Sequence, residues 1–441
     1  MSEYDTFISE QTEKCRQGST FKPELYAHYD VKKGLRDQDG KGVVAGLTNI
    51  SRVTGFHNVD GDLIPCEGSL QYRGYDIRDL IDSQGEDLGL FEKCTYLLLF
   101  NELPDAEQLT SFRRHLNSNL ALPVNFVKDV IMRENGTDVM NTIARGVLNL
   151  ALHEENLSDM CPENALRNSL NLIASMPALA AYGHQAYAHF SKGEGFYILH
   201  PDPELTIAEN ILRMLHPQGH YSRFEALVLD RLLVLHMEHG GGNNSAFTAR
   251  VVSSAGSDTY SVIVAALMSL KGPKHGGANL KVSQMTRDIR ENVANIDDRS
   301  EMEAYLSRII DREVFDRKGL IYGMGHAVYT RSDPRAQVMR SLVDRLAVEK
   351  GREKELEMYH LIEELAPEVT RRRHKVADMC ANVDLYSGFA YELLGIPDDL
   401  YTPMFAVART VGWCSHHLEE ILSSNRIIRP AYVSTVQARE L

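Results

Sequence analysis

The 441-residue chain has no long hydrophobic run and no paired-cysteine motif. Its longest apolar stretch, near Val262 to Leu270, falls far short of the ~20 residues that cross a bilayer. Met1 to Lys22 lacks the basic-then-apolar order of a signal peptide and the acid-poor bias of a transit peptide. Six cysteines (Cys15, Cys66, Cys94, Cys161, Cys380, Cys414) are widely spread, and no two form Cys-x-x-Cys. That speaks against a zinc ribbon and a disulfide-dense secreted scaffold, and for a reducing cytoplasm. No repeat of fixed period and no regular strand–helix alternation is present, so neither a solenoid nor a doubly wound sheet is expected. Positive charge is short: 47 Lys and Arg against 61 Asp and Glu give a net charge of −14. Nucleic acid and membrane surfaces are therefore poor partners. An anionic substrate has to be attracted by a local cluster of Arg or His.

What is present is mostly helix. Apolar positions step by three and four at Val282, Met285, Ile289, Val293 and Ile296; at Val338, Leu342 and Leu346; and at Val407, Val411, Cys414, Leu418 and Ile421. Helix starts are expected at Pro104-Asp105, Ser257-Asp258, Asp333-Pro334 and Thr402-Pro403. Short β-branched pieces, Thr48 to Val53 and Leu70 to Tyr72, suggest a small hairpin turning at Asp60-Gly61. The basic run Arg371-Arg372-Arg373-His374-Lys375 reads as a solvated helix face.

Several familiar motifs fail. Gly323-Met324-Gly325 starts like a dinucleotide fingerprint, but Val328 stands where the third glycine belongs. Gly272 to Gly277 is not followed by the Gly-Lys-Ser/Thr of a phosphate-binding loop. His239-Gly240-Gly241-Gly242 copies an esterase oxyanion string, yet no Gly-x-Ser-x-Gly elbow exists to serve it. His236 and His239 lie one turn apart without an obvious third metal ligand, so no metal site is expected.

Four segments place titratable residues in glycine-rich or apolar surroundings. In Leu233 to Ser245, an apolar helix must stop by Gly240, leaving His239 near a helix C-terminus where the dipole favours its protonated form. In Gly272 to Asn279, His275 precedes a helix starting at about Ala278, where the dipole favours a neutral imidazole able to donate to an enolate oxygen. His326 lies in the Gly323 to Tyr329 turn, and Arg335 opens the helix that follows. Asp384 sits among apolar and amide neighbours that keep a carboxylate basic. Arg409 lies off the apolar stripe of its helix and is expected to point away from that helix's core contact; Arg429 follows. Jointly these groups suit binding of a dicarboxylate oxo acid and removal of a C–H proton beside a carbonyl.

The chain from about Gly46 to Pro430 resembles the citrate synthase family (Si-type citrate synthase and 2-methylcitrate synthase). The resemblance rests on YRGYDI at Tyr72 to Ile77, YLLLFNELP at Tyr96 to Pro104, then GPKHGGAN, GMGHAVYTRSDPR and NVDLYSG in family order. It implies an all-α, two-domain fold with a minor β-hairpin near the N-terminus. The implied parts are an N-terminal arm (residues 1–45), a large helical domain (46–275), a small closing domain (276–392) and a C-terminal return to the large domain with dimer contacts (393–441). Glycine-flanked hinges would lie at Gly272 and Gly395.

The implied reaction condenses acetyl-CoA with oxaloacetate to citrate, and the alternative uses propionyl-CoA. His275 would stabilise the enolate, Asp384 would take the methyl proton, and His326 would polarise the oxaloacetate carbonyl. His239, Arg335, Arg409 and Phe405 would hold or line the oxaloacetate site, joined by Arg429 across a homodimer interface. Coenzyme A thioester is the implied co-substrate, with no permanently bound cofactor. Where relatives carry basic residues after the third His and the Tyr, this chain has Ala327 and Thr330, leaving Arg331 as the candidate for a coenzyme A phosphate. The arm before Gly46 does not look like a nucleotide-regulated extension, and no NADH regulation is expected.

Overall fold

A computed structural model describes residues 2–37, 40–59, 62–133, 136, 138–374, 379–424, 426–436 and 438, with residue 374 by its backbone only. These form two compact units, Met1–Leu47 with Arg429–Leu441, and Thr48–Ile428. In the first unit, helices Glu3–Ser19 and Pro23–His28 bury no residue.

The second unit starts with three antiparallel strands in sequential order: β1 (Ser51–Val59), β2 (Asp62–Tyr72) and β3 (Tyr75–Asp76). β1 pairs with β2 from Ser51↔Tyr72 to Val59↔Asp62, with an irregularity between Thr54 and Phe56. Gly68, Leu70 and Tyr72 alternate inward, the period-two pattern of a half-buried strand. The strands extend well past the expected pieces. Their outer half is exposed and carries no apolar alternation to read. The expected turn at Asp60-Gly61 lies outside the described residues.

Among the described residues, every element after Asp76 is helical. Asp105, Asp258 and Asp333 each cap the helix that follows, as expected from their place before it. The expected start at Thr402 differs. A 3-10 turn, Asp398–Leu400, feeds directly into helix Tyr401–Ser423, and the Thr402 hydroxyl instead donates to the Gly276 carbonyl at 3.0 Å. Helix Ala278–Asn292 ends before Val293 and Ile296, so the apolar stripe outlasts the helix.

Helices Pro162–Tyr187, Arg223–His236 and Tyr401–Ser423 pack together at the centre of this unit. The last two are buried on almost every face, as befits helices surrounded by others. On helix Glu353–His374, exposed Arg372 pairs with Glu303 and with Glu368 at 3.2 Å, and Arg373 with Asp311 at 2.7 Å. This is the expected solvated face; Lys375 lies outside the described residues. Among the described residues, no helix is long and apolar enough to cross a membrane.

Candidate active site

Backbone pairing between two distant loops builds the centre of the site. Gly325 N–H donates to the Cys380 carbonyl (2.7 Å) and Asn382 N–H to the Gly323 carbonyl (2.9 Å), while Asn382 Nδ2 donates to the Gly325 carbonyl (2.8 Å). Asn382 also caps helix Val383–Leu393 by accepting the Asp384 N–H at 2.9 Å. His326 and Asp384, 58 positions apart in sequence, are thereby held on adjoining segments, both within electrostatic reach of Arg335. Burial lifts the Asp384 carboxyl to about 6 against the opposing pull of Arg335, with Asp333 adding to the rise and Arg409 opposing it. The expected basic carboxylate is there.

His326 Nδ1 accepts two backbone N–H groups, from Val328 (3.0 Å) and Tyr329 (3.2 Å). A nitrogen that accepts cannot carry the proton, so this pattern assigns the proton of the neutral ring to Nε2. Burial, with help from Arg335, pushes this imidazole down to about 4. Its ring stacks on Tyr329 with centroids 4.7 Å apart, and the Tyr329 hydroxyl lies 3.2 Å from His239 Nε2.

Arg335 is buried at the start of helix Pro334–Glu349, where Asp333 grips it twice: Nε to Oδ1 at 3.0 Å and Nη2 to Oδ2 at 2.7 Å. Asp333 therefore caps the helix and aims the guanidinium.

His275 Nε2 lies 2.9 Å from the Ser245 hydroxyl, which also accepts the indole N–H of Trp413 at 3.1 Å. The ring is pushed down to about 4, first by burial and then by Arg409. The direction matches the expectation from the helix N-terminus, but burial and a cation are the causes.

Two expectations need correction. Helix Arg223–His236 ends before His239, and Gly240 turns the chain at φ +88°. Yet His239 is held well below its ordinary value, because burial and the neighbouring Arg335, His326 and Arg409 outweigh any attraction of the helix end. Arg409 does not point away from the core. It is 1% exposed, since helix Tyr401–Ser423 has no solvent face at that level. Its Nε donates to the His236 carbonyl at 2.7 Å, its guanidinium lies 4.7 Å over the Phe405 ring, and its Nη1 has no partner among the described residues. Burial pulls Arg409 down to about 10.

The structure thus gathers His239, His275, His326, Arg335, Asp384, Phe405 and Arg409 in one region of the second unit. Arg331 is exposed on the loop between Tyr329 and Asp333, and Arg429 is exposed in the first unit. Sequence reasoning missed Tyr329, Asp333, Ser245 and His236 as parts of this region. Tyr329 and Asp333 lie inside the motif that supplied His326, and Ser245 closes the segment that supplied His239. His236, weighed only as a metal ligand, is fully buried with its ring 4.6 Å from Phe405 and both ring nitrogens unpartnered among the described residues.

The sequence profile of a family described as "Citrate synthase, C-terminal domain" matches residues 35–431. The chain belongs to the citrate synthase family. Members with both product specificities are similar to it. "2-methylcitrate synthase 2" of Corynebacterium glutamicum is 31% identical over 405 residues, covering 91% of this chain and 94% of that protein. "Citrate synthase 2" of Bacillus subtilis is 34% identical over 392 residues, covering 88% and 93%. Among solved structures, citrate synthase from Thermotoga maritima superposes with a TM-score of 0.71 at 27% identity, covering 93% of this chain and 98% of that one. The fold also matches a citrate synthase of Thermoplasma acidophilum, solved as a ternary complex with carboxymethyl coenzyme A and oxaloacetate (TM-score 0.75, 23% identity, 93% and 98% covered). The expected helical citrate synthase fold with a small hairpin is therefore what this chain adopts.

Proposed function

We propose that the protein is a Si-type citrate synthase, an acyltransferase that condenses acetyl-CoA with oxaloacetate and then hydrolyses citryl-CoA to citrate and CoA. One observation carries this reading. The Nε2–H of His326 and the Nη2 group of Arg335, both donors in the tautomer assigned above, converge to 3.5 Å. That arrangement is made for an oxygen-rich anion such as an α-oxo carboxylate. Arg409 presents a second buried guanidinium, whose Nη1 has no partner among the described residues.

Asp384, raised to about 6, takes the proton from the thioester methyl. His275, neutral, donates to the enolate oxygen that forms, and such a donor supplies ~3–4 kcal/mol in a preorganised site. The enolate carbon attacks the oxaloacetate carbonyl, whose oxygen receives a proton from His326, and the proton that Asp384 took up replaces it on the imidazole. Water then cleaves the thioester and frees CoA. His239 and Phe405 complete the oxaloacetate pocket, and Arg429 of a second copy reaches it in a homodimer. Arg331 meets a coenzyme A phosphate. Residues 276–392 form the lobe that closes, and the enzyme acts in the cytoplasm.

A second reading, 2-methylcitrate synthesis from propionyl-CoA, is favoured by relatives of that name at similar identity. One added methylene is worth only ~1–3 kcal/mol in an apolar pocket. Thiol release from each thioester, with and without oxaloacetate, tests both readings. Faster oxaloacetate-dependent release from acetyl-CoA supports the first, and a clear preference for propionyl-CoA replaces it with the second.

A further inference from the structure

The hairpin packs closely against the loop that carries His326. β1 and β2 lose register between Thr54 and Phe56, and Gly55 stands at that irregularity. Gly68, on β2, is next to Ser69, the partner of Thr54. Neither glycine has a positive φ, so backbone conformation is not what requires them. Space is. A Cβ on Gly55 would fall on the Val328 carbonyl, 2.9 Å from its carbon and closer to its oxygen. A Cβ on Gly68 would strike the Ser332 carbonyl oxygen and come within 2.8 Å of Tyr329 Cδ1. The two segments are also latched: Gly68 N–H donates to Ser332 Oγ at 3.1 Å, and that hydroxyl donates to the Glu67 carboxylate. Glycine inside a strand marks close backbone approach, and strand irregularities gather beside functional sites.

The peptide that Gly55 touches has a second side. The unit joining Val328 to Tyr329 turns its carbonyl toward Gly55, and its N–H, trans across the same plane, donates to His326 Nδ1 at 3.2 Å. Pushing that carbonyl turns the plane and withdraws the N–H. Only the Val328 N–H, at 3.0 Å, would then hold Nδ1, and the preference of the neutral ring for the Nε2–H form weakens. The nitrogen beside Arg335 would then donate in a smaller share of the molecules. Tyr329, whose ring stacks on His326 and whose hydroxyl reaches His239, is held from its other edge by Gly68.

We propose that Gly55 and Gly68 are positioning residues that fix the His326 tautomer through the Val328–Tyr329 peptide. The effect on turnover, though not the tautomer itself, rests on the function proposed above.

The test is Gly55→Ala in the full chain, read in two ways. Nitrogen-15 NMR of histidine-labelled protein, with His326 assigned by its loss in His326→Gln, reports which ring nitrogen carries the proton. Steady-state kinetics report kcat and the oxaloacetate KM separately. The expected result is a shift from the Nε2–H form toward the Nδ1–H form. It is accompanied by a fall in kcat of about two- to tenfold and a rise in the oxaloacetate KM of no more than that. An unchanged tautomer overturns the proposal, even if activity falls, because a merely structural role predicts that. Should Gly55→Ala fail to fold, Ser332→Ala and Glu67→Ala loosen the same latch without added bulk. They are expected to move the tautomer in the same direction by less, and an unmoved resonance in both overturns the proposal. The two readings fail separately. Nε2–H in a wild-type protein that condenses neither thioester sinks the function and leaves the positioning role. Nδ1–H in an active wild type does the reverse.

Discussion

Nη2 of Arg335 lies 3.5 Å from Nε2 of His326, donor facing donor, beside a carboxyl that burial has lifted to about 6. Two donors converge in this way where an acceptor is to be bound. Asp333 holds one of them and the backbone of Val328 and Tyr329 orients the other, so the pair is aimed before any substrate arrives.

Replacing Arg335 with Gln removes one donor and leaves the Asp333 charge buried without its partner. The oxaloacetate KM is expected to rise on the order of a hundredfold, in line with loss of a desolvated charged contact. Because Arg335 holds the Asp384 carboxyl down, the same substitution moves the acid limb of the pH profile upward. Kinetics across pH check both effects in one series.

The pH dependence of the wild type follows from the same groups. Asp384 must be ionised to accept a proton, and it titrates at about 6. His275 and His326 titrate at about 4 and stay neutral throughout the range above that. The rate constant kcat/KM should therefore be level above about pH 7 and fall about tenfold per unit below pH 6. A limb centred near 4 would assign the base elsewhere.

Asp384 also sets stability against function. A carboxyl raised from 3.8 to about 6 in the native state binds its proton more tightly folded than unfolded. Stability is therefore lost as pH rises between these values, and the cost is complete above pH 6. Asp384→Asn should be more resistant to urea than the wild type at pH 8, by about 1–3 kcal/mol, with the advantage gone at pH 4.

How much of this was legible in the sequence depends on the kind of information each residue carries. His275, His326, Arg335 and Asp384 sit in local motifs whose glycines and caps announce them, and the structure brings them together. Arg409 was placed on the wrong side of its helix. A helix wheel shows which face is most apolar, but helix Tyr401–Ser423 is enclosed by other helices, and a buried cation looks in sequence like a surface residue. His239 was read from its helix end alone. Its charge state is decided first by burial and then by groups such as Arg335 and Arg409, which come from segments about 100 and 170 positions away. The packing of Gly55 and Gly68 against residues 328 and 332 is a tertiary fact. In the sequence these glycines look only like breaks in a short hairpin.

The most direct test measures thiol release from acetyl-CoA in the presence and absence of oxaloacetate, in wild type and Asp384→Asn side by side. Release that requires oxaloacetate, and that falls by about a hundredfold or more in the variant while oxaloacetate still binds, is the predicted result. Release that ignores oxaloacetate, or that survives the substitution undiminished, would contradict the account.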